Sequence, residues 1–257
     1  MRTCVAALLF VFGGVCCAQG SLDGGPQNQT AYPEPEAAAA WRELAASYVR
    51  KARRDQTLDS DPALNARVDT VMAAVGTAVA AIDPRFAGAS WRAILIEDFG
   101  HGAAAFPGET VLVDAKFVRT LRLNDDELAL IFSHEAAHVI AGHASSKLSF
   151  MAEFLGKEKV PTARTALLEF LARDAYAAVF RPTARLQERE ADTVGAAILF
   201  ASGYDPQRAL GLFDKLAELE TPEDKLVPDV HDAARVRKRA ISGVIAELKR
   251  VQARGGR

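Results

Sequence analysis

The chain has 257 residues, 49% apolar and 25% charged, with a formal net charge of −2. That length suits one good-sized domain. The charge balance leaves no basic field or long Lys/Arg run for nucleic acid, and no acidic tail for a charged partner.

Residues 1–18 read as a signal peptide. Arg2 supplies the positive start, Val5–Phe12 an apolar core, and Cys16-Cys17-Ala18 the small side chains that a signal peptidase reads, with cleavage before Gln19. The apolar run is short for a membrane span. A retained anchor and a lipid-modified Cys17 are the alternatives, although Gly14 stands where lipoprotein signals carry Leu. All three cysteines (Cys4, Cys16 and Cys17) lie in this segment, so the rest of the chain has no disulfide, thiolate metal site or cysteine nucleophile.

Residues 19–35, QGSLDGGPQNQTAYPEP, have little to bury and read as a flexible tether, leaving a single domain over 36–257. From Glu36 the pattern is helical. Trp41, Leu44 and Tyr48 share one side of a helix over 37–53, and Asp61-Pro62 opens a second with Leu64, Val68, Val71 and Val75 at helical spacing. Two short runs read as strands: Trp91–Ile96, and Thr110–Val113 after the Pro107-Gly108 turn. They are the only convincing ones, so any sheet is small.

After Asn124 the chain reads as helices near 125–146, 163–179, 184–201, 206–218 and 231–252. The Lys/Arg-rich face of the last one reads as solvated rather than as a membrane surface. No later stretch is apolar for the roughly 20 residues that a membrane helix needs.

Residues 133–143, SHEAAHVIAGH, contain the pattern His-Glu-x-x-His at 134–138. Residues four apart share a helix face, so His134 and His138 can reach one zinc ion. Glu135 points beside the metal, where it can take a proton from bound water. Asn124 and Glu127 form a capping-box start for this helix, and Asp125 and Asp126 suit the positive end of its dipole.

A third ligand is needed. A Gly and a third His, seven and ten residues after the first, would complete one known pattern, but Ala141 and Ala144 occupy those positions. His143 lies five residues past His138, turned away from the ligand face, and reads as a structural or helix-end residue.

The better candidate is Glu188, in LQEREADTVGAA (186–197), with Asp192 one turn on and placed to hydrogen-bond a ligand histidine and fix its tautomer. Ala191, Gly195 and Ala196 would let this helix pack closely on the first. Glu190 reads as solvated. Taken alone, the segment also fits a charged surface helix.

HEAAHVIAGH, then EREADTVGAA, then GYDPQRA, together resemble the HtpX-like and CAAX-prenyl-protease family of zinc metallopeptidases, over roughly residues 60–240. The resemblance implies a mainly α (α+β), gluzincin-type helical metallopeptidase domain with a small β-sheet or hairpin beside the active-site helix. It implies one zinc ion held by His134, His138 and Glu188, with Glu135 as catalytic base and Asp192 supporting a ligand.

The segment FPGETVLVD (106–114) resembles the family's edge-strand segment. A protein or peptide substrate would add there as a strand, near Ala103–Phe106. Gly102 replaces the family's Asn in this region, and Glu109 its second Gly. VHDAARVR (230–237) resembles the family's H-P-x-x-x-x-R, with Asp232 for the proline.

His231 is the first choice to stabilise an oxyanion or to cover the open zinc position. Arg237 and Tyr204 are weaker choices, and His101 reads as a loop residue. The expected activity is zinc-dependent endoproteolysis of exported or misfolded proteins, with a non-catalytic or latent zinc-containing chaperone or assembly factor of the cell envelope as the alternative. Small, signal-bearing, cysteine-free members of this family look bacterial, so the expected location is the periplasm, with secretion or a lipid anchor at Cys17 as alternatives and peripheral membrane or outer-membrane protein contact as a further expectation.

Overall fold

The computed structural model describes residues 30–220 and 231–255. The expected signal peptide (1–18) and residues 19–29 of the expected tether lie outside them. Within residues 30–35, also read as tether, Ala31 and Tyr32 are packed and Glu34 and Pro35 open a helix. Tyr32 is 1% exposed, its hydroxyl donates to the Val160 carbonyl, and the Ala31 N–H donates to Ser149 Oγ at 3.1 Å. A lone buried aromatic carries no periodicity, so the sequence pattern does not reveal its anchoring.

Helix α1 (Glu34–Arg54) turns Ala37, Trp41 and Ala45 inward. Helix α2 (Pro62–Ile82) is capped by the Asp61 carboxylate and buries Leu64, Val68, Val71 and Val75, the stripe read from spacing. Then come β1 (Arg92–Ile96), β2 (Ala103–Phe106), β3 (Thr110–Asp114) and the short α3 (Ala115–Thr120).

Helix α4 (Asp125–Ile140) starts with the expected capping box. Asn124 Oδ1 accepts from the Glu127 N–H at 2.9 Å, and Glu127 Oε2 accepts from the Asn124 N–H at 2.8 Å. The expected helix over 125–146 ends at Ile140, because Gly142 adopts φ 69° and turns the chain into α5 (His143–Leu155).

The expected break between 179 and 184 lies instead at Arg173, in extended backbone between α6 (Ala163–Ala172) and α7 (Asp174–Ser202). Pro182 sits inside α7 on its exposed side. Helices α8 (Pro206–Ala209), α9 (Gly211–Leu219) and α10 (Ala234–Gly255) complete the described chain.

The sheet order is β1-β3-β2, with β1 parallel and β2 antiparallel to the central β3. The edge strand beside the helices is therefore β2, and the segment 106–114 supplies the turn and the buried centre of the sheet. Ala103-Ala104-Ala105 has weak strand propensity and no alternation, which is why sequence reading gave two strands where three form.

The sheet separates two apolar cores. Val111 and Val113 face one, with Val71, Leu128, Phe132, Ile198 and Ile245. Leu112 faces the other, with Trp41, Phe106, Leu148 and Leu167. Burying each such side chain contributes on the order of 1.5–3 kcal/mol. The result is a mainly helical domain with a small sheet, as expected. Among the described residues no helix is long and apolar enough to cross a membrane.

Candidate metal centre

Helices α4 and α7 cross at Gly195. A Cβ added there would lie 2.9 Å from His134 Cα and 3.0 Å from its amide nitrogen, so only glycine allows this approach. The crossing brings Glu188 against the two histidines of α4. His134 Nε2 and His138 Nε2 are 3.1 Å apart. Glu188 Oε2 is 3.2 Å from His134 Nε2, and Oε1 is 3.5 Å from His138 Nε2.

Three ligands of a tetrahedral zinc ion, bonded at about 2.0–2.1 Å, stand about 3.3–3.4 Å apart. The two imidazole nitrogens and the carboxylate oxygen nearer to each stand close to that spacing. Glu188 Oε2 is also buried without an aligned hydrogen bond, which fits an atom aimed at a common centre. The donor set therefore fits zinc.

His231 approaches the same carboxylate from the residues preceding α10, with Nε2 2.8 Å from Glu188 Oε2. Its ring centroid is 6.3 Å from that of His134. His134, Glu188 and His231 form a second possible metal group, their ligand atoms within 4.8 Å of one another. The side chain of His231 is 41% exposed, against 21% for His138. It covers the open side, while His138 belongs to the floor.

Each floor histidine has its own support. His134 Nδ1 lies 3.0 Å from Asp192 Oδ1. Arg237 grips the same carboxylate, with Nη2 donating at 2.7 Å and Nε at 2.9 Å. Burial alone would raise the Asp192 carboxyl, but His134 and Arg237 hold it at about 2. Burial alone would depress His134, but Asp192 and Glu188 raise it to about 9. Burial would raise Glu188 as well, yet the surrounding histidines hold it far below the usual carboxylate range. His138 is lowered by burial.

His138 Nδ1 lies 2.8 Å from His143 Nδ1, and His143 Nε2 lies 3.2 Å from Glu190 Oε2. If His138 presents the Nε2 lone pair to a metal, its Nδ1–H donates to His143 and the Nε2–H of His143 donates to Glu190. This corrects two sequence expectations. His143 is not turned away from the site, and Glu190 is not merely solvated. The five-residue spacing misleads because the left-handed Gly142 lies between the two histidines, so they belong to different helices.

Glu135 stands between the histidines and the sheet, its Oε2 accepting the Ala105 N–H of β2 at 2.8 Å. Arg237, considered as an oxyanion donor, is committed to Asp192. Tyr204 is outside the cleft. It lies near Asp125 and Asp126, about 12 Å along the helix axis before His134. His101 packs edge-on against Phe99 at 5.3 Å and lines the cleft. The cleft itself has a volume of about 1130 Å³.

A comparison with known protein families matches residues 62–243 to Peptidase family M48. The chain belongs to Peptidase family M48. Mitochondrial metalloendopeptidase OMA1 of Arabidopsis thaliana is 25% identical over 211 residues, covering 80% of this chain and 40% of the relative. OMA1 of Saccharomyces cerevisiae is 26% identical over 137 residues, covering 52% and 39%. A Vibrio cholerae protein named as a beta-barrel assembly-enhancing protease is 26% identical over 183 residues, covering 67% and 37%. This member of the family thus spans only about two fifths of each of these relatives.

Proposed function

We propose that this chain is a zinc-dependent endopeptidase acting on exported or misfolded proteins. The observation that carries the reading is the position of Glu135, one carboxylate oxygen on the edge-strand N–H, beside the converging side chains of His134, His138 and Glu188.

Bound at His134, His138 and Glu188, zinc would supply an acidified water and polarise a carbonyl. The protein groups do the rest. Asp192 and His143 hold the two imidazoles in the tautomers that leave Nε2 free. With Oε2 on Ala105, Glu135 keeps Oε1 to take a proton from water and pass it to the leaving amine. The Asp114 N–H donates to the Gly102 carbonyl at 2.8 Å, so by alternation the main-chain groups of Ala103 and Ala105 face away from β3; Glu135 takes the Ala105 N–H, which leaves the Ala103 N–H and carbonyl and the Ala105 carbonyl. A substrate strand can pair with them there. His231 is placed to donate to a developing oxyanion.

The test is digestion of unfolded casein by the zinc-loaded protein beside Glu135→Gln. The expected result is loss of cleavage by at least 100-fold with zinc retained, roughly the scale of general-base catalysis. Undiminished cleavage by the variant would remove Glu135 from the mechanism.

A second reading rests on the 2.8 Å approach of His231 to Glu188: a latent enzyme whose site is covered by His231. In that case His231→Ala raises cleavage, whereas an oxyanion donor lowers it when removed. Export rests on the N-terminal sequence, and the periplasm as its destination on the family resemblance. Fractionation of cells expressing the full chain tests it.

A further inference from the structure

The cleft has two chemically different ends. Leu212, Phe213, Leu216 and Leu219 line one. The other is marked by Trp41, whose ring packs against Phe106, the last residue of β2, at 6.3 Å, and whose Nε1 donates to the Ala144 carbonyl at 3.1 Å. Lys147, one turn beyond His143 on α5, places its ammonium 5.8 Å from the centre of that ring. Among the described residues no hydrogen bond or salt bridge holds this ammonium. The nearby carboxylates are committed elsewhere, Glu135 to Ala105 and Glu188 to the histidines. Burial pushes Lys147 below its ordinary value, an effect that Glu188 and Glu135 only partly offset.

Arg181 also lines the cleft, seven residues before Glu188 on the same face of α7. The rise of a helix puts it about 10 Å from Glu188 along the axis. That is the span of about three residues of an extended peptide.

We propose that the Lys147 end of the cleft is a subsite for a substrate carboxylate, from an acidic side chain or a free C-terminus within about three residues of the scissile bond. A carboxylate there gains a charge-assisted hydrogen bond and supplies the ion pair that the half-buried ammonium lacks. The inference rests on the peptidase reading.

The experiment uses the full, zinc-loaded chain and peptides differing by a single Glu, Gln or Lys moved along both sides of the cleaved bond, each with a free or amidated C-terminus. On one side only, Glu is favoured over Gln by about tenfold in kcat/KM. Lys147→Met abolishes this preference while leaving the Gln peptide within about threefold, and Lys147→Arg restores it. A preference that follows the internal Glu identifies a side-chain carboxylate, and one that follows the free C-terminus a terminal carboxylate.

Equal cleavage of Glu and Gln peptides overturns the subsite while leaving the peptidase intact. If the parent cleaves no peptide, the peptidase reading fails. Fluorescence anisotropy of the same peptides on Glu135→Gln then decides the subsite: Glu-selective binding lost in the double variant with Lys147→Met sustains it, and unselective or undetectable binding overturns it.

Discussion

His134 and His138 carry the same side chain four residues apart, yet their surroundings differ. His134 is held by a carboxylate that is itself gripped by Arg237, and His138 by a second imidazole that leads to a half-exposed carboxylate. Removing the outer partner of a ligand typically weakens metal binding by 10- to 100-fold. His143→Ala should therefore lower zinc affinity by that order in a chelator competition, with little change in melting temperature once zinc saturates.

The pH dependence follows from His134. In the metal-free protein it is raised to about 9, above its ordinary 6.5. The stability it contributes is complete below pH 6.5 and is lost as pH rises through 9. The melting temperature of the metal-free chain should accordingly fall across that interval, while zinc affinity rises as the competing proton leaves. A melting temperature that rose over the same interval would contradict the assigned environment of His134.

At the scale of elements, the site depends on how closely α7 approaches α4. Gly195→Ala would drive a methyl against the His134 backbone. Overpacking of this kind destabilises by about 1–3 kcal/mol, and it would also move Glu188 relative to both histidines. The variant should melt at a lower temperature and bind zinc more weakly.

The elements also decide what sequence can disclose. The metal helix was legible because its signals are local: a capping box, an apolar stripe and two histidines one turn apart. Glu188 and Asp192 were legible as a pair with small neighbours. The support from His143 and Glu190 was not, because it depends on a left-handed glycine that reverses the chain between two helices. Strand β2 was hidden by its alanines. Its pairing comes from backbone groups between β3 and the cleft rather than from side-chain pattern. Anchoring of Tyr32 was hidden because its partner carbonyl, Val160, is 128 residues away.

On the scale of the whole molecule, two cores lie on opposite faces of a three-stranded sheet, and the cleft runs along its free edge past the histidines. One end is apolar and the other cationic, so an extended peptide entering it meets a different environment on each side of Glu135. The family relationship covers residues 62–243, which includes every candidate ligand and Lys147 but not Trp41. The helix α1, which carries that tryptophan, lies before the matched region, so that end of the cleft joins Lys147 from the matched domain to a tryptophan from outside it.

Counting metal per chain by native mass spectrometry tests whether His134, His138 and Glu188 hold one zinc ion. One zinc is expected in the parent, in Glu135→Gln and in His231→Ala, and none in His138→Ala or Glu188→Ala at the same free zinc concentration. Zinc retained in His138→Ala but lost in His231→Ala would contradict that ligand set, assigning the metal to the group formed by His134, Glu188 and His231 instead.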